Sequence, residues 1–197
     1  CLFRWEFEFK INEHLFLQKN RRDITELLID YGADCNIQYN DKYVLVPTYY
    51  GLTNYSNVTA LMLASSLGAT DCVELMMQRG RADISLRADG RSSAAEYALF
   101  NNKIKTAHTL ICMYHARIAD SVIIDTVLIK KTEIKPVFFL RGIVYPLKSK
   151  EYKLKKEIIK ELKNQGVDYY SEPVPDDIRD KIIKLYPDTW EEYIKVY

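Results

Sequence analysis

Three side chains stand at ligand spacing. His108, Cys112 and His115 fall at i, i+4 and i+7, so a helix would carry all three on one face. Imidazole and thiolate bind zinc, and a tetrahedral shell asks for a fourth donor. The neighbouring sequence offers no obvious fourth, and the three read as exposed polar residues instead of a metal centre. The chain holds no G-x-G-x-x-G, no phosphate loop ending G-K-[ST], no H-E-x-x-H and no C-x-x-C. Its remaining histidine is His14, and no Ser–His–Asp grouping can be assigned. The sequence therefore predicts no catalytic residue, no metal and no cofactor, and the question becomes what the chain holds.

Composition narrows the classes. Lys and Arg number 28 against 27 acids, a formal net charge of +1, so no overall field draws the chain to nucleic acid or an anionic membrane. No run of 18 apolar residues exists, which predicts no membrane-spanning helix. Cys1, Cys35, Cys72 and Cys112 are scattered almost evenly, unlike a disulfide framework, and a reducing intracellular compartment, the cytoplasm, is expected. The first residue is Cys1, which suggests a fragment or processed form.

The elements that must position any site repeat themselves. Residues 59–83 run Thr59-Ala-Leu-Met-Leu-Ala64, then Gly68, Val73-Glu-Leu-Met-Met77, Gly80 and Ala82-Asp83. Leu27-Leu28-Ile29 followed by Gly32-Ala33-Asp34-Cys35-Asn36 ends the same way. This resembles the ankyrin repeat, with its T-P-L-H-x-A, G, V-x-L-L-L and G-A-D-x-N pattern. Ala60 and Met62 stand where the family carries Pro and His. The resemblance implies helix pairs stacked into a mostly α solenoid, with a binding role and no turnover.

Register extends the pattern. Thr59 lies 21 residues and Gly68 12 residues before Gly80. The same offsets from Gly32 put Ile11, His14 and Asn20 at the Thr, His and inter-helix Gly positions, with helices over 12–19 and 22–31. Downstream, Asp89-Gly90-Arg91-Ser92-Ser93 resembles a repeat opening, with Ser93 at the cap, Ala98 inward and Asn102 at the inter-helix Gly. Asn tolerates a left-handed backbone there. Ala107, Thr109, Leu110 and Ile111 fill the second-helix seam, and Tyr114 replaces the closing Gly. By this register His108 and Cys112 match Glu74 and Gln78, which should point outward.

Small Ala64 and Ala98 let paired helices approach, Thr or Ser caps each first helix, and Gly ends the second in a left-handed turn. No repeat buries both faces alone, so a common seam through Leu27, Leu61, Leu75 and Leu110 is expected. A fourth, degenerate repeat is read over 118–147, with Ser121–Thr126 as first helix and Glu133–Gly142 at second-helix spacing. The rival reading makes Val122–Ile129 and Val137–Tyr145 strands, since β-branched and aromatic residues dominate both. The segment from Glu157 to Asp168 also ends like a second helix, yet lies too close to Gly142 for a full repeat. Three to four repeats over 11–147 are predicted.

The ends differ. In residues 3–11, Phe3, Trp5, Phe7, Phe9 and Ile11 alternate with charge, the period of a half-buried strand. It either caps the repeat stack or pairs with a partner. Residues 1–10 are read as an extended segment and 148–197 as a helical extension. Seven Lys and three Glu surround Leu154, Ile158, Ile159 and Leu162 in 148–163, an amphipathic helix with a basic face. Beyond Pro173 and Pro175 a helix runs from Asp176 or Asp177 to Tyr186, and Asp188 caps a last one with Trp190, Tyr193 and Ile194 on one side. Val174–Ile183 also looks like the opening of an F-box-like segment, which would make the chain a ubiquitin-ligase substrate adaptor.

The candidate partner surface is the first finger, over 37–58, about 15 residues longer than the usual spacing. It carries Tyr39, Tyr43, Tyr49, Tyr50 and Tyr55. Loops accept insertions cheaply, and Tyr gives broad contact area with a polar tip. The alternative is a finger folded back on its own scaffold. The resemblance adds Arg87, Asp89 and Arg91 on the next finger, and Ser66 and Phe100 on the concave face. The sequence is therefore expected to encode a protein–protein interaction scaffold, a subunit of a larger assembly, with other proteins as partners and no small-molecule substrate.

Overall fold

The computed structural model describes residues 21–39, 45–48, 51–54, 56–124 and 131–197, with 45–48 and 51–54 described through their backbone. The period-two segment 3–11, the helix expected over 12–19 with His14, and Tyr43, Tyr49, Tyr50 and Tyr55 lie outside the described residues.

Helix α1 (Arg22–Asp30) leads into the first finger, which holds strands β1 (Leu45–Thr48) and β2 (Gly51–Asn54). Helices α2 (Ala60–Leu67) and α3 (Thr70–Gln78) follow, then α4 (Ala94–Phe100) and α5 (Ile104–His108), which continues as a π-helical turn over Thr109–Met113. Strands β3 (Val122–Ile124) and β4 (Thr132–Ile134) precede α6 (Pro136–Arg141) and α7 (Lys150–Asn164). A 3₁₀ turn, Tyr169–Ser171, leads to α8 (Asp176–Leu185) and α9 (Trp190–Val196).

Local chemistry sets the helix ends. Thr59 Oγ1 accepts from the Met62 backbone N–H at 3.3 Å and starts α2, which closes on Gly68 in a left-handed turn at φ 78°. Ser93 and Glu96 form a reciprocal capping box at α4. Asn102 adopts φ 55° between α4 and α5, the left-handed turn expected of it. Gly80 departs from the expected closure. The left-handed residue is Arg81, at φ 50°, and Gly80 instead permits close approach: a Cβ there would lie 2.7 Å from the Cys35 sulfur and 2.9 Å from the Met76 carbonyl oxygen. His115, at φ 55°, makes the corresponding turn after Tyr114.

The helices stack in two rows. In one row α2 packs on α4 and α4 on α6; in the other α1 packs on α3, α3 on α5, and α5 with its π turn on α7. One core runs from Cys35 through Leu61, Ala64, Ala98 and Leu110 to Tyr169. Leu61, Leu75 and Leu110 are buried, but Leu27, at the same offset from its Gly as Leu75, is 54% exposed. Among the described helices α1 packs chiefly on α3, so Leu27 lacks the second neighbour that shuts Leu75 away. Ala64 and Ala98 have no exposed surface, and Ala98→Leu is expected to lower stability by about 1–3 kcal/mol through overpacking, read as an earlier thermal melt.

The helical reading of Ser121–Thr126 is corrected. Val122–Ile124 pairs antiparallel with Thr132–Ile134, Val122 opposite Ile134 and Ile124 opposite Thr132. Branched side chains there favour the strand, with Val122 and Ile124 buried. The strand reading of Val137–Tyr145 fails in turn, because Pro136 at the first helical position pre-sets its backbone for α6. Gly142 ends α6 at φ −73°, without the left-handed turn seen at Gly32. The helix that does end like the earlier second helices is α7. Gly166 has φ 85° and Gly32 φ 82°, and the Val167 N–H donates to the Leu162 carbonyl at 2.9 Å as Ala33 does to Leu28 at 3.0 Å.

Candidate interaction surface

The fingers bind one another along the stack. The Asp89 N–H donates to the Ser56 carbonyl at 3.2 Å, and the Ile123 N–H to the Gly90 carbonyl at 2.9 Å; both steps span 33 residues (89 − 56 and 123 − 90). The second contact needs Gly90, since a Cβ there would sit 2.7 Å from the Ile123 carbonyl oxygen. Asn36 ties the first finger to the next, accepting from the Asp83 N–H at 2.6 Å and donating to the Arg81 carbonyl at 3.1 Å. Gln38 Nε2 donates to the carbonyls of Asn57 and Arg87.

From this base the long finger rises as a hairpin. Tyr39 and Val58 exchange backbone hydrogen bonds at its foot, and β1 pairs with β2 from Leu45–Asn54 to Thr48–Gly51. Two residues connect the strands, so Thr48–Gly51 is a hydrogen-bonded pair and, by alternation, Val46–Thr53 is the next. The groups of Leu45, Pro47, Leu52 and Asn54 then face outward. Pro47 has no N–H and blunts the outer edge of β1, whereas Leu52 and Asn54 keep both donor and acceptor on β2. β1 also lies beside α2.

The residues expected to touch partners are distributed unevenly. Tyr39 is half-buried at the finger's foot. Arg87 is half-buried and engaged within the protein, with Nη1 donating to the Arg91 carbonyl at 2.7 Å and to Glu96 at 3.1 Å, and Nη2 to the Arg117 carbonyl at 3.0 Å. Asp89 accepts from Asn57 Nδ2 at 2.5 Å. Arg91 reaches Glu133 at 3.2 Å, with both side chains more than half exposed, and Glu133 also accepts from Ser121. Ser66 and Phe100 are buried. The Ser66 hydroxyl donates to the Leu63 carbonyl at 2.8 Å, and α6 covers Phe100 by bringing Phe139 within 4.3 Å of its ring. Neither lines an open concave face. Ile37, Tyr31 and Leu27 are the exposed apolar residues that pattern reading missed around the first finger and α1. Ile37 sits in no periodic element, so nothing in its spacing marks it.

The possible metal ligands are spent on helix packing. His108 Nε2 meets Glu157 Oε2 at 2.5 Å, and His115 Nδ1 lies 3.5 Å from Glu161 Oε1. Both carboxylates belong to α7. Burial, with Glu161 and Glu157 nearby, pushes the Cys112 thiol up to about 11, and burial also raises Cys35 and Cys72. Thiolate chemistry is suppressed at all three.

Known proteins share this architecture. A family model of ankyrin repeats (3 copies) matches residues 14–121. A chain in the solved complex of the predatory endopeptidase Bd0816 from Bdellovibrio bacteriovorus with the immunity protein Bd3460 is similar in fold. It shows 17% identity and a TM-score of 0.52, and the likeness covers 78% of this chain and 65% of that one, less than two thirds of its length. No curated protein matches the sequence. Among the described residues no helix is long and apolar enough to cross a membrane.

Proposed function

The chain belongs to the ankyrin-repeat family, and from that premise we propose that it is a non-catalytic protein–protein interaction scaffold held as a subunit of a larger assembly. Ankyrin-repeat proteins are generally binding modules. The inserted hairpin carries this reading: a finger longer than its scaffold needs, with a proline-blunted edge on one side and an intact backbone edge on the other. The tyrosines Tyr39, Tyr43, Tyr49, Tyr50 and Tyr55 supply its contact area. Arg91 and Glu133 add an exposed charged pair on the neighbouring fingers.

The array contains four helix pairs in this reading. The fourth takes β3–β4 as its finger and α6 and α7 as its helices, and the C-terminal extension starts after Gly166. The ligase-adaptor reading of Val174–Tyr197 has less support, because Ile178 and Ile182 are buried with Tyr193 and Tyr197 in the extension's own core. A reducing cytoplasmic setting suits the buried free thiols Cys35 and Cys72.

Co-purification of the native chain with mass spectrometry tests the proposal. A fixed set of stoichiometric neighbours is expected, and replacing 40–55 by a short Gly-Ser link should remove at least one of them while the melting temperature falls by no more than a few degrees. An unchanged set of neighbours sinks the finger's role. A lone, well-folded monomer by scattering sinks the assembly.

A further inference from the structure

The C-terminal helix pair α8–α9 has a small core of its own, Ile178, Ile182, Tyr193 and Tyr197, distinct from the core of the stack. It is seated on the end of the stack by Tyr197. The Tyr197 hydroxyl donates to the Arg141 carbonyl and, at 2.9 Å, to that of Ile143. Arg141 returns the contact, with Nη1 donating to the Tyr197 carbonyl at 2.7 Å and Nε to that of Glu172 at 3.1 Å. Beneath the ring lies Lys155 of α7, without exposed surface. Its Nζ donates to the Ile143 carbonyl at 2.9 Å and stands 3.6 Å from the centre of the Tyr197 ring and 5.5 Å from that of Tyr169.

This seat buries two basic groups together. The charged and titratable groups facing Lys155 are Arg141 from α6, Lys156 from its own helix, Tyr169 from the 3₁₀ turn and Tyr197 at the end of α9. No side-chain carboxylate forms an ion pair with Lys155 among the described residues. An ammonium closed off from water without an anion is costly, and the Tyr197 face compensates only in part. We propose that α8–α9 is a proton-operated latch, docked over the buried Lys155 amine and released when that amine takes up a proton. Release would break the contact of the Tyr193 hydroxyl with the Tyr145 carbonyl and those of Tyr152 and Lys156 with the Val196 carbonyl, and would bare Val144 at the end of the stack.

The sign follows from proton counting. Burial first, then Arg141 and Lys156, hold docked Lys155 well below its ordinary value. Undocked, the amine loses the cover of Tyr197 and meets water, so its value rises toward the ordinary one. Between those two values the docked state binds fewer protons, so each unit fall in pH weakens docking about tenfold. Below the docked value the loss stops.

Amide hydrogen exchange of the full chain from pH 9 to pH 6, corrected for intrinsic rates, tests the latch. Protection of α8–α9 should fall about tenfold per pH unit relative to α4–α5, until it reaches the docked value of Lys155. In Lys155→Met the slope should vanish and protection should be higher than in the parent at pH 6. A pH-independent parent overturns the proposal, and so does a slope that survives in the variant. A Lys155 that only props the fold would give the variant lower protection at every pH. Competitive acetylation of the parent by acetic anhydride needs no variant. Lys155 labelling relative to exposed Lys163 should rise as pH falls, and a constant ratio overturns the latch.

Discussion

Glu96→Ala is expected to lower the unfolding free energy by about 3–5 kcal/mol, seen as an earlier urea midpoint at unchanged slope. Glu96 has no exposed surface, yet its carboxylate is satisfied on every side. It accepts from the Ser93 N–H at 2.8 Å, from the Ser93 hydroxyl, from the Ala119 N–H at 2.5 Å and from Arg87 at 3.1 Å. One carboxylate thus caps α4, anchors the chain entering β3 and holds the finger that carries Arg87. Alanine would leave the Ser93 and Ala119 donors unpaired inside the protein, and the cost of stranding them exceeds the net worth of the bonds. Glu96→Gln keeps one acceptor oxygen and should cost less. Arg87→Ala should cost less, about 1–3 kcal/mol, because the buried Glu96 carboxylate loses its cation but keeps the Ser93 and Ala119 donors. A Glu96→Ala variant as stable as its parent would show that the fingers are not locked through this residue.

How far the fold could be read depended on whether a residue's job is local. Thr59, Ser93, Gly68 and Asn102 act within one turn of chain, and their types announce helix starts and left-handed turns. Ala64, Ala98 and Leu110 follow a spacing that only stacked helix pairs explain. Gly142 misled because a glycine after an apolar run looks the same at the end of either helix of a pair; only the conformation set by Pro136 separates the cases. Val122–Ile124 and Val137–Phe139 are equally branched or aromatic, and what divides them is a tertiary fact, the strand partner at Thr132–Ile134. The interaction surface was less legible still. Phe100 occupies an inner-helix position, but Phe139 of α6 covers it, and Arg87 reads as a surface cation although Glu96 claims it. Lys155 lies within a run of lysines that pattern assigns to a solvated face, and nothing local shows that it turns inward under Tyr197.

Leu110→Ala should cost about 3–5 kcal/mol, whereas Leu27→Ala should cost about 1 kcal/mol or less, by the same denaturation measurement. Both leucines belong to second helices of the repeat and follow the same pattern, so sequence alone assigns them equal weight. Leu110 is closed in by α4, α5 and α7, and cutting it to a methyl removes buried area and leaves a cavity that the π turn at Thr109–Met113 has little freedom to collapse. Leu27 is 54% exposed on α1 and loses mainly the contact it already shares with water. Stability in a solenoid is a sum over neighbours, and a leucine with stacked helices on both sides counts for more than one with a described helix on one side. Equal costs at the two positions would mean that α1 has a second neighbour in solution, one that closes over Leu27 as α5 does over Leu75.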